Sequence, residues 1–296
     1  MEIKVLDLIK KISSQLIMIC KNETLATQEA WWLLEKLLEK TQTQLLVQEK
    51  VILHKSQNEI LQKWVERRLK DKEPIQYILG SVPFCSVQIQ VAPPVLIPRP
   101  ETEEWTSWII EKLKTIKDKN LTILDLCCGS GCIALAIAKE FPNFKIFGSD
   151  INPKAIELSI KNKIYNKTEN AEFVQSNLFE YFKNKNIKFD LIVSNPPYIS
   201  QTEWATLSEE VKTWEDINAL VAPENGLEIY KKIAKEAIYY LKTESKLKSK
   251  LIPQLIVEIG QNQGISVKNI FINTKASVSV HKDIEDKDRW ISVSFP

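Results

Sequence analysis

Histidine and glycine are scarce in this chain, and neither sign of charge prevails. Of 296 residues only two are histidine and seven are glycine, and no glycine precedes Gly80. His54 and His281 lie far from the cysteines, and Cys20, Cys85, Cys127, Cys128 and Cys132 lack paired C-x-x-C spacing. That excludes a zinc-knuckle pattern, and the cysteines read as reduced thiols with no metal expected. Forty basic residues against 38 acidic ones leave a net charge of +2, so bulk charge gives no means of indiscriminate nucleic-acid binding. No run of about 18 apolar residues occurs, so no membrane-spanning helix is expected. The opening "MEIKVLDLIKK" spaces its charges helically, unlike a signal peptide. A G-K-[ST] loop and a third glycine at dinucleotide spacing are both missing, which disfavours ATP and pyrophosphate cofactors. Internal repeats and low-complexity tracts are missing too.

What is there divides the chain in two, as its length suggests. The first seventy residues read as helices. Val5, Leu8, Ile9, Ile12, Leu16 and Ile19 share one helical face, and Ala30, Leu33, Leu34, Leu37 and Leu38 another. Weaker helical patterns run through Leu45 to Leu53 and through Ile60 to Leu69. The last helix carries Lys63, Arg67, Arg68, Lys70 and Lys72, either an RNA or partner face or a solvated surface. Residues 73–100 then change character: seven Pro or Gly residues punctuate them, and "SVQIQV" alternates as a half-buried strand. The expected organisation is a helical domain over 1–72, a β-hairpin linker over 73–100 and a catalytic domain over 101–296.

A helix is expected from Glu101, acidic at its start and rich in lysine at its end. From residue 120 apolar strands and helices alternate, which implies an α/β fold with a mostly parallel sheet covered on both faces. Ligands in such sheets bind at the carboxyl ends of strands, so chemistry is sought there. At the first strand end stands "DLCCGSG", with Asp125 closing the strand and Cys127, Cys128, Gly129, Ser130 and Gly131 forming the turn into a helix. Free amides at that helix start favour an anionic group. The second strand ends in Asp150, whose carboxylate can accept hydrogen bonds from both hydroxyls of a ribose. This combination resembles the cofactor loop of class I S-adenosylmethionine methyltransferases, which implies a Rossmann-like, mostly parallel seven-stranded sheet. An ordinary strand-turn-helix would use the same glycines.

The fourth strand, "FDLIVS", runs into Asn195-Pro196-Pro197-Tyr198. Two prolines make a rigid turn with fixed carbonyl directions, and Asn195 adds a side-chain carbonyl acceptor. Together they can take both hydrogens of a planar –NH2 group, with Tyr198 against its flat face. Such a nitrogen has a delocalised lone pair and is a poor nucleophile, so fixing it in line with an electrophile is the main help it needs. Once methylated it is acidic and can lose its proton to water, which fits a chain poor in histidine. The motif suits an adenine or guanine amino group as well as a glutamine amide. As a plain strand terminator it would also be unremarkable.

"EPIQYILG", "FCSVQIQV", "VLIPRPETE", "ILDLCCGSG", "FDLIVSNPPYIS", "LVAPENGLEIYKKI", "IVEIGQNQ" and "DKDRW" occur in this order. Together they resemble the peptide-chain release factor N5-glutamine methyltransferases of the HemK/PrmC type, nearly continuously over residues 73–296. The resemblance implies S-adenosylmethionine as methyl donor and, as acceptor, the glutamine of the release factor's Gly-Gly-Gln loop. It implies a monomeric cytoplasmic enzyme with no stable nucleic-acid binding. By residue, it carries cofactor contact to Asp125, to Cys127 through Gly131, to Asp150, to Asn177 and Leu178 in "SNLF", and to Asn195. Amide binding falls to Asn195 through Tyr198. Arg99, Pro100, Thr102 and Glu103 match R-P-x-T-E and are expected at the mouth of the site, Arg99 and Glu103 toward substrate. Three departures stand out. Cys127 replaces a glycine and would be strained if φ is positive there. Asn177 replaces a common acid. "KTESKLKSK" replaces a tight glycine turn, which is expected to alter a loop and leave activity intact.

Overall fold

A computed structural model describes residues 2–117, 119–245, 247 and 252–296. It separates into two compact units, one taking in the chain up to Ser81 together with Ser208–Trp214, the other Val82–Leu207 and Glu215–Pro296.

In the first unit, β1 (Glu2–Lys4) precedes α1 (Val5–Cys20), α2 (Glu23–Leu38), α3 (Gln42–Gln48), β2 (Lys50–Ile52), α4 (Lys55–Lys70) and α5 (Ile75–Leu79). Val5, Leu8, Ile9, Ile12 and Leu16 fall on one face of α1 and are buried, as the 3.6-residue period dictates. Asn22 caps α2 by accepting from the Leu25 amide at 2.9 Å. The pattern expected as helix over Leu45 to Leu53 is in fact broken. Glu49 takes a left-handed conformation (φ 59°), and Lys50–Ile52 pair antiparallel with β1. Residues 73–81 pack with this unit, Ile75 and Ile78 lying buried in its core.

The basic row on α4 is not a free face. Arg68 is buried and bonded bidentately to Glu29 at 2.8 and 2.9 Å, with Glu210 at 3.1 Å. Arg67 pairs with Glu73, Lys70 with Glu66 and Lys72 with Glu209. Four of the five charges are thus answered by carboxylates inside the unit, and of these only Arg68 is buried.

The second unit opens with the two-stranded β3 (Ser81–Phe84) and β4 (Val87–Gln90), then α6 (Pro100–Lys114). Next come β5 (Thr122–Leu126), α7 (Cys132–Glu140), β6 (Lys145–Asp150), α8 (Pro153–Asn166), β7 (Ala171–Gln175) and β8 (Leu191–Ser194). After β8 lie the short helices α9 (Gln201–Thr206), α10 (Glu209–Trp214, grouped with the first unit) and α11 (Pro223–Gly226), then α12 (Glu228–Glu236). The sequence ends with β9 (Leu255–Glu258), α13 (Gly264–Ile272), β10 (Ser277–Lys282) and β11 (Asp288–Ser294).

Seven strands form one sheet in the order β10-β11-β9-β8-β5-β6-β7, parallel throughout except at β11. Leu124, Phe147, Ile192, Leu255, Val257 and Ile291 are all at or near zero exposure and form its core. Strand order reverses between β5 and β8, so the crevice of an open α/β sheet opens at Leu126 and Ser194. Those two residues are direct register partners, and the Ser194 hydroxyl donates to the Leu126 carbonyl at 2.9 Å. The loops carrying Cys127 and Asn195 therefore leave the sheet side by side. Of the "KTESKLKSK" stretch, Lys246 and residues 248–250 lie outside the described residues. No described helix is long and apolar enough to cross a membrane.

Candidate active site

The loop after β5 takes an unusual path. Cys127 (φ 58°), Gly129 (φ 54°) and Gly131 (φ 80°) all have left-handed backbone, so the strain expected of a side chain at Cys127 is real. Gly131 is required by space as well, since a Cβ there would meet the Phe173 ring at 2.9 Å. Its absence lets α7 start close against the sheet. The Gly129 amide donates to Asp150 Oδ2 at 2.9 Å, and the Asn152 amide to Asp150 Oδ1 at 2.9 Å. Two backbone donors thus aim this carboxylate, while burial holds its pKa above the ordinary range.

A cleft of about 640 Å³ opens beside these groups. Cys127, Gly129, Asp150, Asn177, Leu178 and Asn195 all line it. Asp125, Cys128, Ser130 and Gly131 do not; they lie buried beneath as the floor of the loop. Asp125 accepts from the Ala134 amide through Oδ2 at 3.1 Å, its Oδ1 has no partner among the described residues, and burial raises its pKa well above the usual value. Leu178 is left-handed (φ 48°), and the Ser176 hydroxyl holds its carbonyl at 2.8 Å.

Asn195 and Pro197, with Leu96 and Ala219, also line a second and smaller depression, to which Arg99, Pro196, Tyr198, Ile199 and Leu220 add. The Asn195 Nδ2 donates to the Thr102 hydroxyl at 3.2 Å. Its Oδ1 receives no protein donor among the described residues, and neither do the carbonyls of Pro196 and Pro197. The Pro-Pro turn is held from outside: Tyr198 and Ile199 donate backbone amides to the Leu220 carbonyl, and the Gln263 side chain donates to the Tyr198 carbonyl at 2.9 Å. Arg99 spans both oxygens of the buried Glu215 at 2.8 and 2.6 Å. Glu103 lines neither cavity. It accepts from the Cys85 amide at 2.6 Å and so caps the β3–β4 hairpin turn.

Two family models match the sequence. Residues 101–212 match the methyltransferase small domain, and residues 7–80 the PrmC N-terminal domain. The chain is 44% identical over 226 residues to the release factor glutamine methyltransferase of Thermodesulfovibrio yellowstonii, covering 76% of this chain and 77% of that one. The chain belongs to the release factor glutamine methyltransferase family. The Lactococcus lactis member is 40% identical over 77% of this chain and 80% of its own. The bifunctional methyltransferase of Rickettsia prowazekii is 37% identical over 90% of this chain, which spans 53% of that longer protein.

Among solved structures, the catalytic domain of hMettl16 in complex with MAT2A 3′UTR hairpin 6 shares the fold at a TM-score of 0.51 and 12% identity, covering 82% of each chain. The N-terminal domain of human METTL16 in complex with SAH does so at 0.50 and 15%, covering 84% of this chain and 86% of that one. These likenesses establish the class I methyltransferase fold for this family member.

Sequence reasoning did not single out several groups that shape the site in this release factor glutamine methyltransferase. Pro94, Val95, Asp216 and Asn218 line the cleft, and Glu258 lies behind Asn195, 1% exposed at the end of an apolar strand. A lone acid closing "LIVE" is a readable signal, since a carboxylate is rarely buried without partners.

Proposed function

We propose that this enzyme transfers the methyl group of S-adenosylmethionine to the side-chain amide nitrogen, N5, of the glutamine in the Gly-Gly-Gln loop of a peptide-chain release factor. The observation that carries this reading is the position of Asn195 in the common wall of two adjoining cavities, with its Oδ1 and the neighbouring proline carbonyls unclaimed among the described residues.

The larger cleft suits the donor. Asp150 offers a carboxylate aimed by two amides toward a pair of ribose hydroxyls, and Asn177 and Leu178 flank the place for an adenine. The Cys127–Gly131 loop offers left-handed, side-chain-poor backbone, over the unpartnered buried Asp125 Oδ1, for the methionine end. When bound, the donor supplies an electrophilic methyl on sulfur. A structural relative solved with SAH supports that cofactor class. On the other side of the wall, Asn195 Oδ1 and a proline carbonyl accept the two amide hydrogens, and Tyr198 packs on the amide plane. This holds the nitrogen lone pair toward the methyl, a positioning effect worth up to ~7–11 kcal/mol. The proton leaves to water after transfer.

Residues 1–72 are proposed to grip the release factor, residues 73–100 to join that domain to the catalytic domain at 101–296, and Arg99 to lie along the substrate path. The reading carries with it a monomeric, cytoplasmic enzyme.

Purified enzyme is expected to transfer labelled methyl from S-adenosylmethionine to a release factor, and Gln→Ala in its Gly-Gly-Gln loop to abolish the label. Persistent labelling of that variant would remove the substrate assignment. Equal labelling of bare DNA or ribosomal RNA would favour an exocyclic amino group of adenine or guanine instead. The donor side has its own test. Asp150→Ala is expected to weaken S-adenosylmethionine binding by roughly 10–100-fold in calorimetry, the worth of charge-assisted hydrogen bonds at about 1.5–3 kcal/mol. An unchanged Kd would remove Asp150 from the cofactor site.

A further inference from the structure

We infer that Thr102 and Glu258 are positioning residues that fix which way the Asn195 amide faces, so that its Nδ2 is spent inside the protein and its Oδ1 is left for the methyl acceptor. The inference rests on the acceptor role given to Asn195 above.

The sheet register creates the arrangement. Ser194 at the end of β8 is paired with Val257 of β9, so Asn195 and Glu258 leave adjacent strands at the same level. Helix α6 places Thr102 between them, and both Thr102 (2% exposed) and Glu258 (1%) are out of water. Thr102 donates its hydroxyl to Glu258 Oε2 at 2.7 Å, and the Trp105 indole donates to the same oxygen at 2.8 Å. A threonine hydroxyl has one proton. With that proton on Glu258, Thr102 can only accept from Asn195, and the group facing it at 3.2 Å must be the –NH2. A flipped Asn195 would set two oxygens against each other with no proton between them. In a buried site that mismatch costs the desolvation penalty of an unpaired polar group, enough to hold one orientation.

Glu258 itself is anchored on every side. Tyr230 donates its hydroxyl to the Glu258 backbone carbonyl at 3.0 Å, and the Tyr198 hydroxyl faces Oε1 at 3.5 Å. One buried carboxylate therefore backs both Asn195, through Thr102, and the aromatic ring proposed to pack on the substrate amide. What Asn195 needs from it is an acceptor at the Oε2 position, not a charge.

Single-turnover kinetics on the release factor test this. Thr102→Val, nearly isosteric, is expected to lower the methyl-transfer rate by about 10–100-fold, the scale of a lost positioning contact, with S-adenosylmethionine affinity within about twofold of wild type. Thr102→Ser should recover most of the rate. Glu258→Gln should do so too, because its carbonyl oxygen can take both donors. Glu258→Met should slow transfer, and the Thr102→Val/Glu258→Met double variant should lose clearly less than the product of the two single losses, since Glu258 reaches Asn195 only through that hydroxyl and any remainder is what it lends Tyr198. Full turnover in Thr102→Val, or two losses that multiply in the double variant, would overturn the relay. A wild-type enzyme that leaves the release factor unlabelled would count against the substrate reading instead. One arm needs no substrate: the Asn195 side-chain amide resonance, identified by its loss in Asn195→Ala, should shift in Thr102→Val and stay in Thr102→Ser. An unmoved resonance in Thr102→Val would also overturn the relay.

Discussion

Asn195→Ala is expected to lower kcat by about 10²–10³-fold, the usual cost of removing one preorganised polar contact to a transition state, while the Kd for S-adenosylmethionine stays within about threefold. The split follows from where the side chain stands. Asn195 lines the larger cleft, in which Asp150 and the Cys127–Gly131 loop are proposed to make the main donor contacts. Its Oδ1 stands in the shared wall without a protein donor among the described residues. Removing it leaves the donor held and the amide nitrogen loosely aimed. Stopped-flow single turnovers with calorimetric titration of the donor separate the two quantities. Asn195→Asp is a sharper probe, because it keeps an acceptor toward the substrate but turns a second oxygen toward Thr102. That hydroxyl has already given its proton to Glu258 at 2.7 Å, so the introduced carboxylate is expected to be displaced and kcat to fall by ~10-fold or more. Wild-type turnover in Asn195→Ala would end the amide-holding role.

The contrast between what could and could not be read in advance follows from sequence distance. The strand ends announce themselves because each is local: "ILDL" into glycines, "IFGSD", and "LIVS" into Asn-Pro-Pro-Tyr are contiguous runs whose apolar core and polar end need no tertiary information. The positive φ at Cys127 meets the condition raised by the glycine that the family resemblance puts at that position. Glu103 and Thr102 are a different matter. They are neighbours on one helical turn, and only the packing of α6 decides which faces the site; it is Thr102, with Glu103 drawn to the Cys85 amide. The Thr102–Glu258 bond joins residues 156 apart, and no periodicity reports it. On α4 the burial of Arg68 was unreadable for the same reason. Its carboxylates at Glu29 and Glu210 are far away in sequence, whereas Arg67 and Lys70 pair with the nearby Glu73 and Glu66. The Leu45 to Leu53 pattern failed locally, because a short apolar run cannot distinguish a helix end from a short edge strand.

Gly226→Ala is the other large effect expected, and it acts without touching either ligand. Gly226 closes the turn α11 with φ 81°, after Glu224 and Asn225, which are left-handed as well. A Cβ built on it would lie 1.9 Å from the Tyr198 carbonyl oxygen and 2.8 Å from the Gln263 side-chain nitrogen that holds that carbonyl. Both partners are fixed: Gln263 also accepts from the Gly260 amide, and Tyr198 follows two prolines. Relief therefore requires the backbone to move by about an ångström, and the movable part is the Asn195–Tyr198 turn itself. A misplacement of that size costs on the order of 10²-fold in rate, and the left-handed alanine adds roughly 1–3 kcal/mol of strain, a loss of several degrees in Tm. Gly80→Ala separates the two contributions. Gly80 has a similar φ of 76° but nothing within 4 Å of its would-be Cβ, so it carries the strain without the collision. Its Tm should fall by a comparable strain term with kcat unchanged, whereas Gly226→Ala should lose both. If Gly226→Ala were merely less stable and turned over like Gly80→Ala, the position of the Tyr198 carbonyl would have no bearing on catalysis, and the rigid turn would be a scaffold for Asn195 alone.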